Sequence, residues 1–280
     1  MNFPRTTIAG VSLPRMIIGT NWIFGWSHTG HAADCFIKDQ HASGDETYKI
    51  ISAFLKYGVN AIMGPFSTHP ECNEKVVRAE EKTGKRLIRI DTPHLNMDDS
   101  EFARNEAKAV IKNSAKIGSS FCLIHHASCE QLVNKNKQTL DRIGDYTSMI
   151  REAGLIPGLS AHMPEIIQYS DNNNYDVETY IQIFNCMGFL MQVEVESVIK
   201  IIHEAKKPVM TIKPMAAGRI TPYIGLTFNW NVLRDKDMIT VGCVNEHEVH
   251  ENIEISLAAF EKRLPNLEGR SSPVKTSIIK

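Results

Sequence analysis

Short apolar segments alternate with longer amphipathic segments along the whole chain. The short segments are rich in β-branched residues and are apolar on both faces, which is typical of parallel strands that are covered on both sides. Eight strands are predicted, in chain order Arg15–Thr20, Val59–Met63, Arg86–Ile90, Ser120–Ile124, Ile156–Ser160, Tyr180–Phe184, Val209–Ile212 and Met238–Val241.

Amphipathic segments with helical spacing lie between these strands. Several of them end at a glycine that the next strand closely follows, and glycine is a common residue at the C-terminal end of a helix. Six helices are predicted, at Asp45–Tyr57, Pro70–Thr83, Ser100–Ile117, Asp141–Ala153, Glu194–Lys206 and Glu246–Arg263.

The repeated strand–helix unit indicates how the sheet is arranged. Eight parallel strands joined by right-handed crossovers close naturally into a barrel. We therefore predict an α/β fold with a single (β/α)8 TIM-barrel domain over residues 1–280, in which residues 265–280 form a polar, flexible tail. The alternative is a doubly wound open sheet, but the glycine-rich fingerprint that would favour it after the first strand is missing.

Composition and charge narrow the range of partners. With 31 Lys and Arg against 32 Asp and Glu, the chain gives no reason to expect nucleic acid or an anionic membrane as a partner. No segment reaches the 18 consecutive apolar residues of a membrane span. Six scattered cysteines without a Cys-x-x-Cys pair favour free thiols in a reducing compartment. We expect a cytoplasmic protein, compatible with a homo-oligomer, that acts on a small molecule.

Polar side chains collect just after the predicted strands. Active sites of this fold are built by the loops at the carboxyl ends of the strands, so these side chains are expected to share one rim. Eight of the 11 histidines lie in or near these loops. The candidates for chemistry are Asp91, His94, His125, His126, His162 and Lys213.

Six segments resemble a known family, the bacterial aldo-keto reductases. The four in the second half of the chain are the more specific, and read GLIPGLSAHMPEII from Gly154, YIQIFN from Tyr180, KPVMTIKPMAAGRI from Lys207 and VGCVNEHEVHENI from Val241. The two in the first half read LKYGVNAIMGPFSTHPE from Leu55 and LIHHA from Leu123. The resemblance implies that NADP or NAD is held at this rim. The residues that it assigns to the cofactor are Ser160, Gln182, Glu251 and Asn252, together with Lys213.

The chain departs from that family at the catalytic tetrad of Asp, Tyr, Lys and His. The corresponding positions read Met63, then Ser67 or Thr68, then Asp91 or Thr92, and finally His125. A serine or threonine hydroxyl is a far weaker acid than a phenol with a pKa of about 10. The resemblance therefore leaves His125 as the acid for the reduction of a small polar carbonyl or sugar-like substrate.

Two further interpretations remain open at this point. In the first, the barrel is an isomerase, lyase or hydrolase, with His125, Asp91 and His94 in acid–base chemistry and Lys213 as a nucleophile. A divalent metal held by Asp91, His94, His126 and His162 is one form of this interpretation. In the second, the barrel binds a ligand without catalysis.

Overall fold

Eight parallel strands form a closed barrel in the computed structural model, which describes residues 2–267. The strands are β1 Arg5–Ile8, β2 Val11–Pro14, β3 Met16–Gly19, β4 Ala61–Gly64, β5 Ile88–Asp91, β6 Ser119–Ile124, β7 Val133–Asn134, β8 Thr139–Leu140, β9 Ile156–Ala161, β10 Thr179–Ile183, β11 Val209–Ile212 and β12 Met238–Val241. All except the β1–β2 and β7–β8 hairpins belong to the barrel. The predicted (β/α)8 fold is confirmed. Residues 268–280 of the predicted tail lie outside the described residues.

Helices surround the barrel. They are α1 Asn21–Phe24, α2 His31–Gln40, α3 Asp45–Lys56, α4 Pro70–Thr83, α5 Glu101–Lys116, α6 His126–Cys129, α7 Ile143–Glu152, α8 Glu165–Asn172, α9 Val195–Glu204, α10 Pro222–Val232 and α11 Glu246–Glu261. The six predicted helices match α3, α4, α5, α7, α9 and α11. Within the described residues, no helix is long and apolar enough to cross a membrane.

Alternate residues of each barrel strand face the interior. Ile17, Met63, Ile90 and Ile181 belong to one buried cluster inside the barrel. Their neighbours Ile18 and Ile62 belong to a second cluster that includes buried residues of the helices. The strands therefore pack on both faces, as their continuous apolar runs indicate.

The hairpin of β1 and β2 was not predicted, and it closes the amino-terminal end of the barrel. Its turn at Ala9 and Gly10 has two residues with positive φ, 46° and 83°, which suits a tight two-residue hairpin. Ile8 and Leu13 pack into the interior cluster. The hairpin therefore fills the barrel at its amino-terminal end, and the barrel opens at its carboxyl-terminal end.

The first and last barrel strands are joined around buried Arg15. The Arg15 Nε donates to the carbonyl of Asp237 at 3.0 Å, and its Nη2 donates to the carbonyl of Arg234 at 2.8 Å. Its guanidinium also lies 5.2 Å from the ring centroid of Trp230. Because β3 pairs with β12 directly above these contacts, Arg15 fixes the seam at which the barrel closes.

A buried ion pair fastens α4 to β5. The Nη1 and Nη2 atoms of Arg89 donate to the two carboxylate oxygens of Glu80 at 3.1 and 2.8 Å, a bidentate geometry that favours strong pairing. The same carboxylate accepts the backbone N–H of Leu87 at 2.7 Å. Glu80 therefore positions the strand that leads to one wall of the barrel mouth.

We expect Arg89→Met to lower the free energy of unfolding by about 3 kcal/mol, because it leaves the buried Glu80 carboxylate with only the exposed Arg86 as its counter-ion. Urea unfolding monitored by circular dichroism measures the change. The control is Lys49→Met, which removes the exposed pair with Glu46 and should change the free energy of unfolding far less, because an exposed ion pair contributes little. Equal losses in the two variants would contradict this role of the buried pair.

Candidate active site at the barrel mouth

A cavity of about 840 Å³ opens at the carboxyl-terminal end of the barrel. Its walls come from the loops that follow β3, β4, β5, β6, β9, β11 and β12, and from the first turns of α10 and α11. Six of the 11 histidines line it, namely His28, His69, His94, His125, His126 and His162. His31 and His41 of the predicted rim lie outside the cavity.

Four of these imidazoles form an unbroken row along one wall. The ring centroids of His94 and His125 are 3.7 Å apart, those of His125 and His126 are 4.2 Å apart, and those of His126 and His162 are 3.6 Å apart. The row joins three loops, after β5, β6 and β9. It brings together four residues that the sequence marked as candidates.

The row is neutral at physiological pH. Burial, reinforced by the neighbouring His126 and His94, lowers the pKa of His125 to about 3. Burial and the adjacent His126 also lower the pKa of His162 to about 3. Rings this close cannot all be protonated because of their mutual repulsion. The wall therefore offers nitrogen lone pairs and N–H donors rather than positive charge.

Glu130 lies beside the row and was missed by the sequence analysis. Its Oε1 accepts the backbone N–H groups of His162 and Met163 at 2.8 and 3.1 Å. Its Oε2 lies 3.9 Å from the Nδ1 of His126, four residues earlier in the chain. The spacing from His126 to Glu130 is the signal that the sequence carried, since residues four apart meet on one helical face.

Lys213 supplies a cation at the carboxyl-terminal end of β11. The residue has a positive φ of 61° and lines the cavity in a partly buried position. Burial lowers the pKa of Lys213 to about 8, and its charge in turn contributes to the lowered pKa values of His125, His126 and His162. An amine with a pKa near neutrality suits proton transfer.

Three of the four residues assigned to a cofactor by resemblance face the same cavity. Ser160 lines it from β9, and Glu251 and Asn252 line it from α11. The Nδ2 of Asn252 donates to the Sγ of Cys243 at 3.4 Å, whereas its buried Oδ1 has no hydrogen-bond partner in the structure. An orphaned buried acceptor facing a cavity indicates a place for a ligand donor.

The structure does not bring Asp91 to the cavity. Asp91 is the last residue of β5 rather than the first residue of a loop. Its side chain lies on the same side of the strand as that of Arg89, which points outward to α4. Its Oδ1 accepts the backbone N–H of Ser67 at 3.2 Å, and burial raises its pKa. The expectation that Asp91 serves as a catalytic group or metal ligand at the mouth is corrected accordingly.

Gln182 also faces away from the cavity. Side chains alternate along β10, and Ile181 faces the cavity. Gln182 therefore lies on the same outer side as Tyr180, whose hydroxyl donates to Asp171 of α8 at 2.6 Å. The Nε2 of Gln182 donates to the carbonyl of Ile183 at 3.2 Å. Its predicted contact with a nicotinamide is not supported by this placement.

The cavity also confirms that the family tetrad is incomplete. Met63 and Thr92 line it at positions where the resemblance would place Asp and Lys, and no tyrosine lines it among residues 2–267. Trp22 lies over Gly242, where an added Cβ would come within 2.8 Å of the indole ring. Trp26 packs edge-on against His69 at 5.2 Å, so the first loop covers one side of the mouth.

Comparisons with known proteins agree with this fold. A putative aldo-keto reductase from Pseudomonas aeruginosa is 12% identical over 90% of this chain and 93% of its own, with a TM-score of 0.63. A thermostable aldo-keto reductase in complex with the inhibitor epalrestat is 13% identical over 94% of this chain and 96% of its own, with a TM-score of 0.64.

A third similar structure is an aldo-keto reductase from Klebsiella pneumoniae in complex with NADP and acetate. It is 12% identical over 94% of this chain and 92% of its own, with a TM-score of 0.58. No protein-family model and no curated protein sequence matches the chain. At this identity the likeness shows a shared barrel, and function has to be argued from the site.

We expect Lys213→Met to raise the free energy of unfolding by up to about 3.5 kcal/mol at neutral pH, because burial lowers the pKa of Lys213 from 10.5 to about 8 and each pKa unit is worth about 1.4 kcal/mol. The pKa of Lys213 in the folded protein lies below the ordinary 10.5, so its charged form opposes folding fully below about pH 8. The gain should shrink as the pH rises through about 8 towards 10.5.

Urea unfolding at about pH 7 and about pH 9.5 measures both the gain and its decrease. The control is Lys112→Met on the exposed face of α5, which should change stability little at either pH. A destabilised Lys213→Met variant would show that the lysine serves packing instead.

Proposed function

We propose that this protein is an oxidoreductase that uses a nicotinamide dinucleotide to reduce or oxidise a small polar carbonyl or sugar-like compound at the barrel mouth. The observation that carries the proposal is the shared cavity. Ser160 and Asn252, which the family resemblance assigns to the cofactor, face the same space as His125 and Lys213.

The cavity suits an anionic small molecule. Its volume of about 840 Å³ lies within the range of small-molecule sites, about 300–1,000 Å³. Lys213 and Arg219 line it, and so do Thr221 and Pro222 at the start of α10, where free backbone N–H groups favour a phosphate. The NADP in the similar Klebsiella pneumoniae structure supports the same ligand class.

The residues of this chain fit such a cofactor in part. The Oδ1 of Asn252 is free to accept from a base or sugar, and Ser160 offers a hydroxyl, whereas Gln182 points away. A bound nicotinamide dinucleotide supplies or accepts a hydride. The remaining task is to move a proton to or from the substrate oxygen.

Lys213 and His125 carry that task in our proposal. With a pKa of about 8, Lys213 is mostly protonated at neutral pH and can donate to a developing alkoxide. His125 is neutral, so its ring N–H can hold the carbonyl oxygen without adding a charge to the wall. The pair takes the place of the missing phenol.

A second candidate function is cofactor-free acid–base catalysis by an isomerase, lyase or hydrolase. The row of neutral imidazoles and the absence of tyrosine from the described lining favour it. In that reaction His125 would act as the base and Lys213 as the acid. A barrel that only binds the ligand would retain affinity and show no turnover.

We expect saturable binding of NADH or NADPH in a fluorescence titration of the purified protein. Asn252→Ala should weaken binding about tenfold, equivalent to the loss of one buried hydrogen bond of about 1.4 kcal/mol. The control is Asn231→Ala, an exposed asparagine on α10. Failure of both dinucleotides to bind would rule out the oxidoreductase and leave the acid–base enzyme.

A further inference from the structure

We propose that His126, Glu130 and His162 form a site for one divalent transition metal of the zinc class on the wall of the cavity. The three side chains converge from two neighbouring segments. His126 opens α6, Glu130 follows in the next helical turn, and His162 comes directly after β9.

The donor atoms already lie close together. One ligand atom from each residue lies within 4.8 Å of the other two. Two imidazole nitrogens and a carboxylate oxygen are a donor set that holds zinc at about 2.0–2.2 Å and leaves a fourth position open. Ligand atoms around such a tetrahedral ion are about 3.4 Å apart, so the side chains need to close by roughly 1 Å.

One atom of the set has no other role in the structure. The Nδ1 of His126 is buried without a hydrogen-bond partner. Its distance of 3.9 Å from the Oε2 of Glu130 is too long for a hydrogen bond. An orphaned buried nitrogen that faces a carboxylate across such a gap is explained by a cation between them.

Glu130 is also held in the orientation that a ligand needs. Its Oε1 accepts two backbone N–H groups, from His162 and Met163, which fixes the carboxylate and leaves Oε2 to face His126. Hydrogen bonds of this kind, which orient the ligands themselves, are a regular part of metal sites. The same contact ties the loop of His162 to the helix of His126.

Binding requires one rearrangement. The rings of His126 and His162 are stacked at 3.6 Å with an angle of 17° between their planes, so their in-plane lone pairs lie in two nearly parallel planes and do not meet at one point. The two rings must splay for both nitrogens to point at one ion. Both side chains lie at the cavity wall and are only partly buried, which leaves them room to turn.

Since His126 and His162 line the cavity next to His125, an ion held by them would be within reach of a ligand in the cavity. A metal there would polarise a carbonyl oxygen and so compensate for the absent tyrosine. This use of the metal depends on the proposed oxidoreductase or its acid–base alternative, whereas the binding of the ion does not. The site differs from the set predicted from the sequence: His126 and His162 remain, Asp91 and His94 are not part of it, and Glu130, which is not itself among the residues that line the cavity, supplies the carboxylate.

The test is a titration of the chelator-treated full-length protein with Co²⁺, followed by its visible absorption, and with Zn²⁺, followed by calorimetry. We expect one ion per chain and the intense visible bands of tetrahedral cobalt. His162→Ala and Glu130→Gln should each weaken binding by at least about tenfold, because each removes a charge or a donor from the set.

His247→Ala, which removes an exposed histidine on α11, is the matched control and should bind as the unchanged protein does. Circular dichroism confirms that each variant is folded. Absence of saturable binding, or binding that all three variants retain, would overturn the proposed site. A parallel NADH titration of the metal-free protein separates this outcome from failure of the oxidoreductase proposal.

Discussion

Closure of the barrel is the constraint on which the rest of the structure depends. The seam forms where β3 pairs with β12. Arg15, the residue before β3, anchors it by donating hydrogen bonds to the carbonyls of Arg234 and Asp237. Once the sheet is closed, the carboxyl ends of all eight strands meet around one opening. Residues as distant in sequence as Trp22 and Asn252 then line a single cavity.

The sequence was sufficient to predict the strands and the collection of histidines, because long apolar runs and their following loops are visible in it. It was not sufficient for the phase of each strand. Strands that are buried on both faces have no alternation of polar and apolar residues, so nothing in the sequence tells which residues face inward. The predicted third strand ended at Ile90, one residue before the end of β5, so Asp91 was assigned to the following loop and hence to the site. In β10 the inward-facing position was assigned to Gln182, whereas Ile181 faces the cavity.

The missed helices have an equally physical explanation. The helix α10 is apolar on most of its surface, so no amphipathic pattern marks it, and α8 is short and ends in Asp171 and Asn172, with two more asparagines after it. Glu130 begins a three-residue 3₁₀ turn directly after the four-residue α6, and helices this short show no helical period in the sequence beyond the single four-residue spacing from His126. The hydrophobic pattern of the sequence therefore predicts the barrel better than it predicts the short helices and turns around the cavity.

The hairpin of β1 and β2 has a consequence for how ligands reach the interior. Since Ile8 and Leu13 fill the amino-terminal end of the barrel, ligands enter the cavity from its carboxyl-terminal end. A ligand that lies at the strand ends therefore has to arrive before, and leave after, any second ligand that covers it from the side of the mouth.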